Sequence, residues 1–201
     1  MVRVAFYVGE AMRPYLPALA RLRMAVFRDW PYLYDGSADN EARYLAGFAD
    51  CPRAGLAVAF DGDTPVGCSS CLPLADEDDA VRAPFLARGW DPARFFYLGE
   101  SVLLPAYRGQ GVGVAFFTER EAHARAVSAC DYACFCAVRR PADHPLRPVG
   151  ATPLDAFWRR RGYTAYPDLA CTMAWTQVDT GRNVPNRLSF WLKPLREAAL
   201  P

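Results

Sequence analysis

An α+β fold with a mixed central sheet is what this 201-residue sequence predicts, on three observations. Strand-like and helix-like stretches interleave along the chain. Two strand-like runs are joined by Asp61-Gly62-Asp63, a turn short enough to force an antiparallel hairpin. The most strand-like run, Phe95–Leu104, exits through Pro105 into a glycine-rich loop and then a helix.

The elements follow in order. Val2, Val4, Phe6 and Val8 alternate with Arg3, Ala5 and Tyr7 as a first strand. Pro14 to Arg28 reads as a helix with Leu19, Leu22 and Val26 on its apolar face. An aromatic loop, Arg28 to Asp35, leads to a second helix over Ala38 to Asp50. Leu56–Phe60 and Val66–Leu72 form the hairpin. Ala75 to Arg88 begins with Asp76, Glu77, Asp78 and Asp79, which suits the first turn of a surface helix. After the glycine loop a helix runs to about Ser128, and Tyr132–Val138 is a buried strand. A proline-rich loop precedes a helix over Leu154–Arg161, capped by Gly162. Strands over Cys171–Val178 and Leu188–Leu192 complete the chain. With no linker or internal repeat, residues 1–201 read as one domain.

Composition removes several function classes. The formal net charge of +1 supplies no basic field for nucleic acid. No apolar run approaches the roughly 18–20 residues of a membrane span, and the short apolar start does not read as a signal peptide. The seven cysteines suit free thiols in a reducing cytoplasm. Cys68-Ser69-Ser70-Cys71 has no second half at zinc spacing and lies in a strand, so no metal is expected.

Gly109, Gly111 and Gly113 alternate between a strand and a helix. Glycine allows close backbone approach to a bulky anion, and the N–H groups that open the helix point at it. A dinucleotide fingerprint fails because Val114 stands where its third glycine belongs. A nucleotide P-loop fails because Val114 and Ala115 follow Gly113 instead of Lys and Ser/Thr.

The stretch Tyr97–Gly113 resembles the central signature of the GNAT acetyltransferases. Leu103-Leu104-Pro105-Ala106-Tyr107 matches its strand exit, and Arg108, Gly111 and Gly113 match its loop. Leu154–Tyr163 is similar to the family's later helix. Two positions depart from the pattern: Trp158 stands where many relatives carry a tyrosine that protonates the departing thiolate, and Ala151 where they carry an asparagine. An indole cannot serve as that acid, so the role passes to another group or to water.

The resemblance implies α/β/α layers around a mixed, mostly antiparallel sheet splayed at the cofactor site. It implies acetyl-CoA, or another acyl-CoA, as co-substrate. Val102, Leu103 and Leu104 would lie along the pantetheine, and Arg108, Gly109, Gln110, Gly111, Val112 and Gly113 at the pyrophosphate. It implies transfer to an amine of a small molecule or peptide by direct attack in a ternary complex, and it is compatible with a homodimer. A non-catalytic acyl-CoA-binding module of the same fold is the alternative.

An amine with a pKa of about 10.4 arrives protonated, and Glu100 is the first candidate to take its proton. The competing arrangement has Glu100 facing away and paired with an arginine. Tyr97 is a second polar group on that strand, and His144, beside Asp143, is a competing base. Two readings stand for the aromatic loop: Trp30, Tyr32 and Tyr34 wall an acceptor pocket in which Asp29 attracts a cationic amine, or the rings form a satellite of the core.

Overall fold

The computed structural model describes residues 2–201. The elements run β1 (Arg3–Val8), a 3-10 segment (Gly9–Tyr15), α1 (Leu16–Phe27), α2 (Ala38–Asp50), β2 (Gly55–Asp61), β3 (Thr64–Pro73), α3 (Asp79–Leu86), β4 (Phe95–Leu103), α4 (Val112–Val127), β5 (Tyr132–Val138), α5 (Asp155–Arg160), β6 (Thr164–Thr176) and β7 (Asn183–Pro194). Among the described residues they build a seven-stranded sheet in the order β1-β2-β3-β4-β5-β7-β6. Every neighbouring pair is antiparallel except β4 and β5.

The sheet is covered on both faces. Leu19 and Leu22 of α1 and Leu45 and Phe48 of α2 pack with Val58, Cys68, Leu72, Phe95, Tyr97 and Val102 on one face. Phe117 and Ala124 of α4 pack with Cys71, Phe96, Leu98 and Ala133 on the other. The two clusters draw on opposite sides of the same strands, as period-2 alternation requires.

Several elements differ from their expected bounds. The first helix divides: Pro14 lies in the 3-10 segment, and α1 opens at Leu16 with Pro17 in its first turn, where a missing N–H costs nothing. The acidic run divides too. A 3-10 turn over Leu74–Asp76 ends before Glu77, and α3 begins at Asp79, so Glu77 and Asp78 lie between helical pieces. β6 starts at Thr164, seven residues earlier than expected. An irregularity between Tyr166 and Ala170 absorbs Pro167, which hides the strand in the sequence. His123 of α4 sits 5.0 Å from the Phe6 ring and 5.9 Å from that of Phe96, with Nε2 2.9 Å from the Arg53 carbonyl.

Two irregularities open the sheet at its centre. β4 and β5 pair only from Phe95–Tyr97 to Tyr132–Cys134. β4 then continues to Leu103, while β5 stays with β7 as far as Val138–Leu188, leaving a gap between β4 and β5. The second irregularity is a bulge. Ser69 opposes Ser101 and Cys71 opposes Leu98, so Ser70 faces both Gly99 and Glu100. The extra residue shifts alternation along β4. Phe95 and Tyr97 face α1 and α2, Phe96 and Leu98 face α4, and beyond the bulge Val102 returns to the α1–α2 face, with Glu100 bonded to residues of both helices.

Gly99 leaves room for the Ser70 hydroxyl at this bulge. A Cβ there would lie 2.4 Å from Ser70 Oγ, but 3.7 Å from Ser70 Cβ, an ordinary contact. Ser70 Oγ is buried and has no partner among the described residues. Gly99→Ala should therefore destabilise the protein by about 1–3 kcal/mol through overpacking, and most of that loss should disappear in a Ser70→Ala background. Urea unfolding of the four variants of this cycle checks it. A Gly99→Ala cost unchanged by Ser70→Ala would contradict the bulge geometry.

Candidate active site

The first part of the site is the gap between β4 and β5, with the loop that follows β4. Leu104 N–H donates to the Val66 carbonyl (3.0 Å). Alternation along the antiparallel pair then turns the backbone groups of Val102 toward β3, and those of Ser101 and Leu103 toward the gap. The Leu104 carbonyl accepts from Tyr107 N–H, and the Leu103 carbonyl accepts from Arg108 Nε (3.2 Å). The backbone groups expected to line the gap from Val102 and Leu104 are thus engaged elsewhere. Ser101, which the sequence did not single out, joins Leu103 there. The resemblance assigns Val102 and Leu104 by position along the strand, whereas the pairing of β4 with β3 decides which backbone groups face the gap.

The glycine loop is shaped for an anion. Gly109 (φ 77°) and Gly111 (φ 83°) are left-handed, a conformation L side chains rarely adopt, and space around both is open. Gly111 is the N-cap of α4, a helix of 16 residues. None of the N–H groups from Gly109 to Gly113, Gln110 and Val112 included, has a backbone acceptor among the described residues. A Cβ on Gly113 would stand 3.4 Å from the Phe157 ring, so this glycine closes the contact between α4 and α5. Free donors at a helix N-terminus, in a cradle that side chains would fill, fit the pyrophosphate of a CoA-type molecule.

The second part is a cavity of about 580 Å³ on the α1–α2 face of β4, within the usual size of small-molecule pockets. Arg23 of α1 lines it. Its Nε donates to Glu41 Oε2 (2.5 Å) and its Nη1 to Glu100 Oε2 (2.6 Å). The guanidinium also lies 4.3 Å from the Tyr44 ring centroid. Burial disfavours its charge, but Glu100, Tyr44 and Glu41 more than offset this and raise its pKa. Tyr34 OH donates to Glu41 Oε1 (2.8 Å), and Tyr44 OH to Glu100 Oε2 (3.1 Å). Both Glu41 oxygens and one Glu100 oxygen are thereby satisfied. Glu100 Oε1 has no partner among the described residues, although its side chain is only 3% exposed.

Part of the wall is aromatic and apolar, with Phe27, Tyr32, Tyr97, Met173 and Trp175, and part is polar, with Arg43, Asp78 and Asn183. Burial raises the Tyr97 and Tyr44 hydroxyls well above their usual range, and burial followed by Glu41 pushes Tyr34 up to about 12. All three are neutral O–H groups at pH 7. Tyr97 OH is 3.1 Å from Cys136 Sγ.

The expected acceptor residues divide. Tyr32 and Tyr34 line the cavity, but Asp29 is exposed and outside its lining, and Trp30 packs against His144 at 5.2 Å between ring centroids. The loop that carries them is tied to the sheet. Arg140 donates to the Pro31 and Tyr32 carbonyls (both 2.8 Å), Trp175 Nε1 donates to Tyr32 (3.1 Å), and Tyr34 bridges to Gln177. His144 is in the 142–151 loop, where Nδ1 accepts from Leu146 N–H, and does not line the cavity. Trp158 packs between Phe135 and Trp191. Arg23, Glu41, Tyr44 and Glu77 are site residues that sequence reasoning missed. The first three looked like ordinary helix residues, and Glu77 was one of four consecutive acids.

Comparison with known proteins follows the same outline. Residues 19–149 match the family model described as acetyltransferase (GNAT) family. No curated protein matches. Among solved structures, yncA of Salmonella typhimurium with its cofactor acetyl-CoA superposes with a TM-score of 0.54 at 17% identity, over 99% of this chain and 98% of that one. Ribosomal-protein-alanine N-acetyltransferase from Brucella melitensis gives 0.59 at 17% identity, over 96% and 99%. A GCN5-related N-acetyltransferase from Kribbella flavida gives 0.55 at 19% identity, over 96% and 97%. At such identities these likenesses speak for the fold. The family match covers about two thirds of the chain and includes the split sheet, the bulge and the glycine loop: the chain belongs to the GNAT family of acetyltransferases.

Proposed function

We propose that the protein transfers an acetyl group from acetyl-CoA to the amine of a small molecule that carries an apolar or aromatic body. The observation that carries this reading is the buried, unsatisfied Oε1 of Glu100, a residue that lines a partly aromatic cavity beside the β4–β5 gap. An ammonium donates three hydrogen bonds and satisfies such an oxygen, whereas a neutral apolar ligand leaves it orphaned. The acyl-CoA fits the other part, with its pyrophosphate on the Gly109–Gly113 amides and its pantetheine along the gap. Acetyl-CoA on the Salmonella relative supports this choice. Bound there, acetyl-CoA supplies an activated acyl group.

This chain's residues position the acceptor and move its protons. Phe27, Tyr32 and Trp175 hold the body of the acceptor and exclude water. Glu100 takes a proton from the reacting nitrogen, and Arg23 and Tyr44 fix the carboxylate in place through its other oxygen. Backbone N–H groups of β4 at the gap can polarise the acyl carbonyl. A second reading, an acyl-CoA-binding module without transfer, draws on Trp158, which has no acidic hydroxyl at a position where many relatives use one.

The acyl-CoA half is tested by thermal shift. Acetyl-CoA at about 100 times its Kd should stabilise the protein by about 2.7 kcal/mol, and Gly111→Glu should abolish the effect. Unchanged stabilisation in that variant would remove the glycine loop from the site.

The acceptor half is tested kinetically, with thiol release from acetyl-CoA measured across a panel of amines. Glu100→Gln should lower kcat by roughly 10²–10⁴ at neutral pH while leaving acetyl-CoA affinity unchanged. Asp29→Asn should leave the acceptor's KM as it is. Wild-type kcat in Glu100→Gln would take the proton away from Glu100. Absence of product with any amine, with acetyl-CoA binding intact, would favour the non-catalytic module.

A further inference from the structure

The cavity holds another carboxylate that the reaction so far leaves unused. Glu77 lies between the Leu74–Asp76 turn and α3, partly exposed, and lines the same cavity as Glu100. Its Oε2 accepts the Asp78 N–H (3.1 Å), and no cation pairs with it among the described residues. The groups that act on it, or that it acts on, come from every element around it. They are Arg23 from α1, Tyr44 from α2, Tyr97 and Glu100 from β4, Cys134 from β5, Cys171 from β6, and the adjacent Asp78. Burial raises its pKa, the Asp78 N–H works against that, and Glu100 and Asp78 add to the rise over the opposing pull of Arg23. The carboxyl is pushed up to about 7.

Amide formation gives such a group a task. A nitrogen that arrives as R–NH₃⁺ and leaves as R–NH–CO–CH₃ loses two protons. The first must go before the lone pair can attack, and the second goes after the N–C bond has formed. As the C–S bond breaks, the sulfur gains one proton, and the net release to solvent is one. A single carboxylate would have to be emptied between the two transfers.

We propose that two carboxylates divide this work: Glu77 takes the first proton from the ammonium, and Glu100 takes the second from the nitrogen once it is bonded to the acyl carbon. The proposal rests on the amine-acetylation reading above. Glu77, the more exposed of the two, passes its proton to solvent. Glu100, enclosed by Arg23 and Tyr44, takes up the second proton and gives it up again as the departing thiolate takes one from solvent, so that one proton is released net. A base that titrates near neutral pH is matched to the first task, because it is ionised in use and still accepts a proton readily.

The test uses Glu77→Gln and Glu77→Asp and two readouts. The first needs no catalysis. A buried carboxyl whose pKa is raised on folding destabilises the native state once pH exceeds its unfolded value, and fully so above its folded value. Melting temperatures of wild type and Glu77→Gln should therefore coincide below about pH 4.5 and separate as pH rises to about 7, with the variant the more stable above that. The second readout is the pH profile of kcat/KM with phenethylamine as acceptor, which reports groups of the free enzyme. Wild type should show an inflection near pH 7. Glu77→Gln should lose that inflection and about 10² in kcat/KM at pH 7.5, and Glu77→Asp should retain the inflection. Melting curves that run parallel across pH, or a wild-type kcat/KM profile in Glu77→Gln, would overturn the role of Glu77 while leaving amine acetylation standing. Absence of product with every amine tested would overturn both.

Discussion

The Arg23 guanidinium holds Glu41 with its Nε and Glu100 with its Nη1, in a space closed by Tyr44 and Phe27. Two carboxylates in such a space repel each other and lose their hydration, and either would be unfavourable alone. One planar cation with several fixed donors answers both, which a point-like ammonium could not do with the same geometry. The arrangement spans α1, α2 and β4, so the same contacts that pack two helices on the sheet set the position of the carboxylate in the cavity. It uses up three of the four carboxylate oxygens, with the hydroxyls of Tyr34 and Tyr44, and leaves one. A fold that needed only stability would have little use for that remaining oxygen, since an unsatisfied buried acceptor is costly.

The bulge at Gly99–Glu100 makes this arrangement possible. Without the extra residue, Glu100 would share the α4 face with Phe96 and Leu98 and would meet an apolar cluster there. With it, the carboxylate moves to the α1–α2 face within two residues of the strand segment that borders the gap. The early end of β4–β5 pairing, the bulge and the left-handed glycines at Gly109 and Gly111 are three departures from regular structure within some fifteen residues. Local rules fail where a site is built, because irregular backbone aims donors and side chains that a regular sheet would turn away.

Much of this was legible in the sequence. The hairpin, α2, β5 and the glycine loop follow from turn chemistry and apolar pattern, and they fall within two residues of the expected bounds. Glu100 is expected first toward the cleft, and it does line the cavity; the competing arrangement, facing away and paired with an arginine, is met only in its pairing, with Arg23. A bulge leaves no composition signal beyond Gly99, and one residue of parity reverses the answer. Tyr32 and Tyr34 were found through the cost of exposing rings in a short loop. Asp29 was not placed by that argument, since charge on a loop tip says nothing of direction. Glu77 was passed over because four acids in a row resemble a helix start, and its role depends on a break in the helix at that residue. Arg23, one of two arginines in α1 and one among many in the chain, gave no signal without its partners.

The central claim is that a cationic acceptor binds against Glu100 Oε1, across the split in the sheet from an acyl-CoA on the glycine loop. A crystal structure with CoA and phenethylamine both bound tests it most directly. The account predicts pyrophosphate oxygens on the Gly109–Gly113 amides and pantetheine between β4 and β5. It also predicts the ammonium within hydrogen-bonding distance of Glu100 Oε1, with the ring among Phe27, Tyr32 and Trp175. Phenethylamine bound outside this cavity, or in it with its ring toward Glu100 and its ammonium toward the rim, would contradict the account.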